Sequence, residues 1–550
     1  MEDLLERPRM KHTTQAPNHP RPSANIATFP PYRVAVLLFQ CYETYIDHIS
    51  RILHIPTVRA LMKAFYLRLT QGKSGPPGQA ALLFSIFALA AVFYQPFEHS
   101  EVVSNEDDAI NLAKVMGKGA LDTLDYSRRS TSGTLEDIQA YILMSYVIFH
   151  LDGLSATGHL LSATAGVIAK GLCLHKLDVI TCGEKSTNLR DMIDREVKRR
   201  VFWYIASQDW LSAAISGPQE GTYSIHPNHI NVRLPTDCND DDFVLGGDTE
   251  SENGPQPNST TYFIEKIRLA HICREIVDTV PLDTNRLQQM PYDKIIDLDQ
   301  KLLDFISNLP FFFKLDAASR QRAKPLETMY LSIQLQRYCI TGAVHSRRCK
   351  LHQRFLLRQS SDSRYTYSRR ACLESAHTIM QFYEGFSDGT PPRTLRYGKT
   401  IAAHYVHLAM VVLVMDLCFN KDQADEVAIK KEVKAGLQMF EDASDASPLL
   451  GRFISSINRI LAKYDVYLND PSTTLSDRDV HSGNEIDSGP FGATYTEQSQ
   501  PSHLHLEMSE PSEIPELSFD EFWERTMQAE PNTDLLAWDN MFSTLDSRPL

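Results

Sequence analysis

Between Glu196 and Asp209 the chain reads E-V-K-R-R-V-F-W-Y-I-A-S-Q-D, and no other stretch gathers as many residue types that can do chemistry. Arg199 and Arg200 run straight into Phe202 and Trp203, Asp209 follows six residues after the tryptophan, and Gly217-Pro218 comes next. Two guanidinium groups beside a tryptophan could form a ligand or effector site. The same residues also have a packing use. On a helix, Phe202 and Trp203 would bury large apolar areas worth a few kcal/mol each. Glu196 and Arg200 stand at i, i+4, where an exposed pair can form. The expectation is therefore a helix that organises the core.

Other chemistry is poorly supported. His226, His229, Asp237 and Asp240 are irregularly spaced, with only Cys238 close by, and do not predict a metal site. Asp240-Asp241-Asp242 is followed by Phe243, Val244 and Leu245, so it lacks the further carboxylate that a magnesium-binding aspartate motif needs. The chain contains no G-x-G-x-x-G, P-loop, G-x-S-x-G or H-E-x-x-H. No enzyme, cofactor or metal is expected. Nine cysteines occur without any C-x-x-C, which suits a reducing compartment and offers neither a disulfide framework nor a zinc site.

Two charged segments suggest macromolecular partners. From Arg337 to Arg370 the only acid is Asp362, and Arg347, Arg348, Lys350 and Arg354 make a candidate basic patch for nucleic acid contact or nuclear import. Its plainer reading is a solvated helix face. From Pro471 to Leu550, 16 acidic residues stand against 3 basic ones, so this tail holds almost all of the net charge of −14. Within it, residues 509–550 alternate acids with bulky apolar residues, the pattern of amphipathic activation segments. Leu535, Trp538, Met541 and Phe542 are the candidate anchors for a partner groove. A terminal helix docking on the chain's own body is the other reading.

The elements that must position these residues are helices. Residues 1–31 are proline-rich and polar and predict disorder. From 32 to 468 apolar residues recur at three- and four-residue spacing, without convincing alternation, which predicts an all-α body. Residues 217–260 read as a long loop, and 469–550 as a disordered acidic tail. Ala80–Tyr94 is too short to span a bilayer, and Ile401–Phe419 carries His404, His407 and Asp416. Both predict buried helices, so no membrane role is expected, and the polar N-terminus argues against a secretory signal.

The Glu196–Asp209 motif with Gly217-Pro218 resembles the signature helix of the fungal transcription-factor regulatory domain, the middle homology region of zinc-cluster factors. Leu53-His54-Ile55-Pro56-Thr57 is similar to that family's L-H-x-P-T step, and Thr134 with Ile138-Gln139-Ala140 to its T-x-x-x-(L/I)-Q-A helix start. Leu234-Pro235 leading to Asp240-Asp241-Asp242 resembles its closing L-P-x-x-x-D-D segment. The resemblance spans about residues 32–465 and implies a nuclear regulator of transcription, often of secondary-metabolite pathways. Such domains normally follow a zinc binuclear cluster, and the spaced cysteines of that cluster do not occur in this chain. The resemblance then implies action through a DNA-binding factor or coactivator, with DNA bound weakly or indirectly, and it admits a dimer. A cluster encoded in an upstream exon is a second expectation. A helical ligand-sensing or scaffold protein is a third.

Overall fold

The structure is a computed structural model of the 550-residue chain. It describes residues 28–93, 102–152, 156–179, 188–215, 219–243, 257–356, 363–387, 392–420, 425–443 and 448–468. Gly217 and Pro218 lie outside these, as do the N-terminal segment up to 27 and the whole tail with Leu535, Trp538, Met541 and Phe542.

Among the described residues every regular element is a helix. The first half contains α1 (Tyr32–Tyr45), α2 (Asp47–Ser50), α3 (Ile55–Thr70), α4 (Pro77–Val92), α5 (Glu106–Ser130), α6 (Leu135–Asp152), α7 (Ala156–Gly171), α8 (Leu189–Ala213) and α9 (Asp240–Phe243). The second contains α10 (Thr261–Thr279), α11 (Thr284–Gln289), α12 (Asp293–Asn308), α13 (Ala317–Met329), α14 (Ser332–Leu356), α15 (Thr366–Ser387), α16 (Pro392–Phe419), α17 (Glu426–Ala443) and α18 (Pro448–Lys463).

Helix α4 shows how the sequence dictates the packing. Its Ala, Leu, Phe and Ile residues run around the whole circumference, so the helix has no polar face to offer water and sits among α1, α5 and α6. Proline at its first turn pre-sets the helical φ. In the second half α14 has the same role and packs on α10, α12, α15 and α16. Its crossing with α16 is close because Gly342 has no Cβ: one placed there would lie 2.2 Å from the Tyr405 ring.

Caps and local breaks set several helix boundaries. Helices α13 and α14 are separated at Tyr330, and Pro325 is tolerated inside α13. Helix α5 starts at Glu106 because Asn105 caps it, its side chain accepting from Asp108 N. Thr57 lies within the first turn of α3, while His54 occupies the cap position with Nδ1 2.7 Å from Thr57 Oγ1.

Candidate functional site

The signature segment is one continuous helix, α8, started by Asn188, whose side chain accepts from Arg190 N. Helical spacing places Glu196, Arg200 and Trp203 along one face, and the loop of residues 219–243 is strapped across it. Glu196 accepts two bonds from Thr236, from its backbone N–H at 3.0 Å and its hydroxyl at 3.1 Å. Trp203 Nε1 donates to the Arg233 carbonyl at 2.8 Å, and Trp210 Nε1 to the Ile225 carbonyl at 2.8 Å. Asp209 accepts from the backbone N–H groups of Ser224 and Ile225, both at 2.8 Å. Arg199 forks onto Asp178 at 2.6 and 2.9 Å, and Asp178 in turn accepts from Arg233 N at 2.8 Å. The side chains of this helix thus supply the partners that the irregular loop backbone lacks.

A second set of contacts ties the loop's end to the beginning of the chain. Asp240 Oδ1 lies 2.6 Å from Arg200 Nη1 and 2.6 Å from Arg51 Nη2, and Oδ2 accepts from Ile55 N at 2.9 Å. Arg200 also donates to the Leu53 carbonyl at 3.2 Å. Arg51 pairs with Asp47 at 2.6 Å and ends α2 in the left-handed region at φ 49°, which directs its side chain into the cluster. Gln139 Nε2 closes the arrangement by donating to the Ile52 carbonyl at 2.8 Å. Four motifs far apart in sequence, around Leu53, Gln139, Arg200 and Asp240, therefore meet at one buried ionic clamp.

Two expectations are corrected. Glu196 and Arg200 do bond at 3.3 Å, but 2% and 0% exposed, not on the surface. The candidate basic patch does not form as a solvated face, because α14 turns it inward. Arg348 pairs with Asp299 at 2.7 Å and Glu374 at 2.7 Å, and Arg347 donates to the Leu211 carbonyl at 3.0 Å. Lys350 and Arg354 share Glu220, at 2.9 and 3.1 Å. Among the other signature residues, Phe202 and Pro235 are buried and Leu234 is exposed.

One arrangement had no signal in the sequence. His352 Nδ1 lies 2.9 Å from Ser368 Oγ, and its Nε2 lies 3.2 Å from Asp299 Oδ1. The residue types match a hydrolase triad. Here all three are 0% exposed, the serine hydroxyl is also held by Tyr292 at 2.6 Å, and Asp299 is already paired with Arg348. Burial lowers His352 despite Asp299, so the ring is neutral. The set is a core polar network with no access for a substrate. Among the described residues no group of three His, Cys, Asp or Glu could hold a metal ion, and no helix is long and apolar enough to cross a membrane.

The clamp has a pH signature. Burial acts to raise the Asp240 carboxyl, but the charges of Arg51 and Arg200 outweigh it and hold the group at about 2. A carboxyl lowered on folding stabilises the native state above its unfolded value near 4, and the contribution vanishes as pH falls through about 2. The expected loss from Asp240 in that window is about 2–3 kcal/mol. Asp47 shifts the opposite way, raised first by burial and then by the Asp240 charge, and partly offsets it. Acid unfolding of the parent and of Asp240→Asn tests this: the variant should be the less steep below pH of about 4. Equal slopes would exclude it.

A model of the fungal specific transcription factor domain matches residues 38–307. Over 526 residues the chain is 36% identical to a probable transcription factor, lepB, of Aspergillus flavus, covering 94% of this chain and 92% of that one. It is 28% identical to the agnestins biosynthesis cluster transcription factor AgnL11 of Paecilomyces divaricatus, spanning 79% of this chain and 62% of the relative. A chain of the K. lactis CBF3 core has a similar fold, with TM-score 0.51 and 10% identity over 78% of this chain and 82% of that one.

Proposed function

Because this chain belongs to the fungal specific transcription factor domain family and is a fungal transcriptional regulator, we propose that it governs a secondary-metabolite gene cluster from the nucleus by engaging other proteins. The observation that carries this reading is the likeness to lepB along nearly the whole chain. The likeness to AgnL11, a factor named for a biosynthesis cluster, supports the class of target. The inward turn of Arg347 and Arg348 supports a protein partner or coactivator over direct DNA contact, since phosphate attraction grows with the number of accessible cations. The closed Ser368–His352–Asp299 set supports a role other than catalysis. Chromatin immunoprecipitation of the tagged chain should enrich promoters of one biosynthetic cluster. The purified 550-residue chain should shift those promoters weakly and without sequence preference. Nanomolar, sequence-selective binding by the purified chain at physiological salt would overturn the partner-dependent reading.

The acidic tail is the proposed output surface. Residues 509–550, fused to an unrelated DNA-binding domain, should activate a reporter. Acids such as Asp534, Asp539 and Asp546 keep the bulky residues in water, and Leu535, Trp538, Met541 and Phe542 fall on one face once a helix forms against a partner. Joint replacement of Trp538 and Phe542 by alanine should remove most of the activation, because aromatic anchors dominate such interfaces. Replacement of Ser543 and Ser547 should change little. A silent fusion at normal expression would leave the tail a solubilising or self-docking segment.

A further inference from the structure

Helix α13 carries surface cations that no acid answers. Exposed cations on other helices are matched within their own helix, as Lys118 is by Asp122 at 2.8 Å and Arg128 by Asp125 at 2.7 Å. On α13 Arg320, Arg322 and Lys324 are all exposed, and among the described residues none of the three forms an ion pair. The two acids of the same segment are committed elsewhere. Asp316 caps the helix, accepting from Ser319 N at 2.9 Å. Glu327 feels the Arg320 charge but pairs with Arg337 at 2.5 Å and accepts from Gln334 at 3.1 Å.

The same face is also apolar. Helical spacing puts Arg322, Pro325 and Met329 on one side of α13, turned away from the buried Ala323. Met329 is 73% exposed, and Leu331, just past the helix, is 63% exposed. Arg322 lies over the Phe311 ring, 3.8 Å from its centre. A guanidinium has two flat faces, and Phe311 takes one of them. Such a surface fits a segment that mixes acids with aromatics. The chain supplies one in Phe519-Asp520-Glu521-Phe522-Trp523-Glu524, which lies outside the described residues. At helical spacing its three aromatics share a face. It belongs to the tail that holds almost all of the net charge of −14. Phe519 follows Leu468 by about fifty positions, which span at most about 170 Å when extended. That reach passes any face of the body, and a tether makes a weak contact sufficient.

We propose that residues 519–524 dock on the exposed face of α13, with Trp523 stacked on the second face of the Arg322 guanidinium and the acids set against Arg320 and Lys324. Exposed ion pairs are individually weak, so the acids give attraction and register. The aromatic contacts with Arg322, Pro325 and Met329 give the hold. Duplex DNA is also drawn to cations, but three of them make few phosphate contacts and leave Met329 and Leu331 without a use. Docking of 519–524 leaves Leu535, Trp538, Met541 and Phe542 outside the contact and keeps them beside the body. The contact does not depend on whether those four residues activate transcription.

Zero-length carbodiimide cross-linking of the purified full chain tests this, because Lys324 is the amine among the three cations. At about 50 mM salt, peptide mapping should find Lys324 joined to Asp520, Glu521 or Glu524 of the same chain. At about 0.5 M salt the yield should fall by about fivefold or more, because screening then acts over a few ångströms. Phe522→Ala with Trp523→Ala keeps all three acids, and Arg322→Ala keeps Lys324. Each should also lower the yield by about fivefold or more. Absence of the link overturns the proposal. So does a link spread evenly over the tail acids, which marks unspecific attraction, or one that both variants keep. Links joining isotope-labelled to unlabelled chains would assign the contact to a second copy and overturn it. Displacement of the link by equimolar duplex DNA of unrelated sequence would make α13 a nucleic-acid surface instead. Reporter activation by the 509–550 fusion does not enter the result, so the two tests fail separately.

Discussion

Replacing Arg200 with methionine will destabilise the body by about 3–5 kcal/mol, the range measured when one partner of a buried ion pair is removed. Arg200 is 0% exposed and answers three groups at once: Asp240 Oδ1 at 2.6 Å, Glu196 Oε1 at 3.3 Å and the Leu53 carbonyl at 3.2 Å. Methionine fills similar space without a donor, so the cost arises from acceptors left unpaired more than from a cavity. Asp240 would keep Arg51, and Glu196 would keep Thr236, which places the loss within this range and not beyond it. Urea melts of the full chain measure the effect. Adding Asp240→Asn to Arg200→Met should recover part of the loss, because the neutral amide needs no counter-charge. A single-variant cost below about 1 kcal/mol would mean that the clamp is not structural.

Trp203→Ala carries a comparable penalty of about 3–5 kcal/mol for a large aromatic truncated in a core. The indole is 5% exposed, meets Phe202 and Trp210 edge to face with centroids 5.8 and 6.3 Å away, and holds the Arg233 carbonyl. Trp203→Phe separates the two contributions. It keeps a ring but loses the bond to Arg233, and should cost about 1–3 kcal/mol with faster amide exchange concentrated in residues 219–236. Should Trp203→Ala melt like the parent, the helix is a functional surface and not the fastening of the loop.

The helical class and most helices were legible in the sequence because apolar residues recur at helical spacing over long stretches. α4 was readable as buried because its sequence leaves no polar face. The fate of charged residues was not legible. Spacing shows that Glu196 and Arg200 can pair, but not that Arg51, Leu53 and Asp240 arrive from elsewhere to bury them. The run around Arg347 and Arg348 looks exposed in one dimension. Its counter-charges, Asp299 and Glu374, lie 49 and 26 residues from Arg348. The motifs quoted for the resemblance contain Leu53, Gln139, Arg200 and Asp240, but only coordinates show that these motifs touch one another, and Arg51 and Asp47 belong to none of them.

The family match ends at residue 307, yet the packing does not. Arg348 holds Asp299, Arg347 holds the Leu211 carbonyl, and Arg354 holds the Pro281 carbonyl. Helix α14 therefore completes a core begun by α8, α10 and α12, and a chain cut at 307 would uncover it.

The separation of Arg51 from Asp240 sets a schedule for the newborn protein. The two are 189 residues apart, so at about 5–20 residues per second Asp240 leaves the ribosome about 10–40 s after Arg51. Throughout that interval Asp47 and Arg51 have only each other, and the apolar circumference of α4 has incomplete cover. The emerging first half is a natural client for chaperones that hold unfinished chains. Its yield in a foreign host will depend on how translation is paced between codons 51 and 240 as much as on the stability of the finished fold.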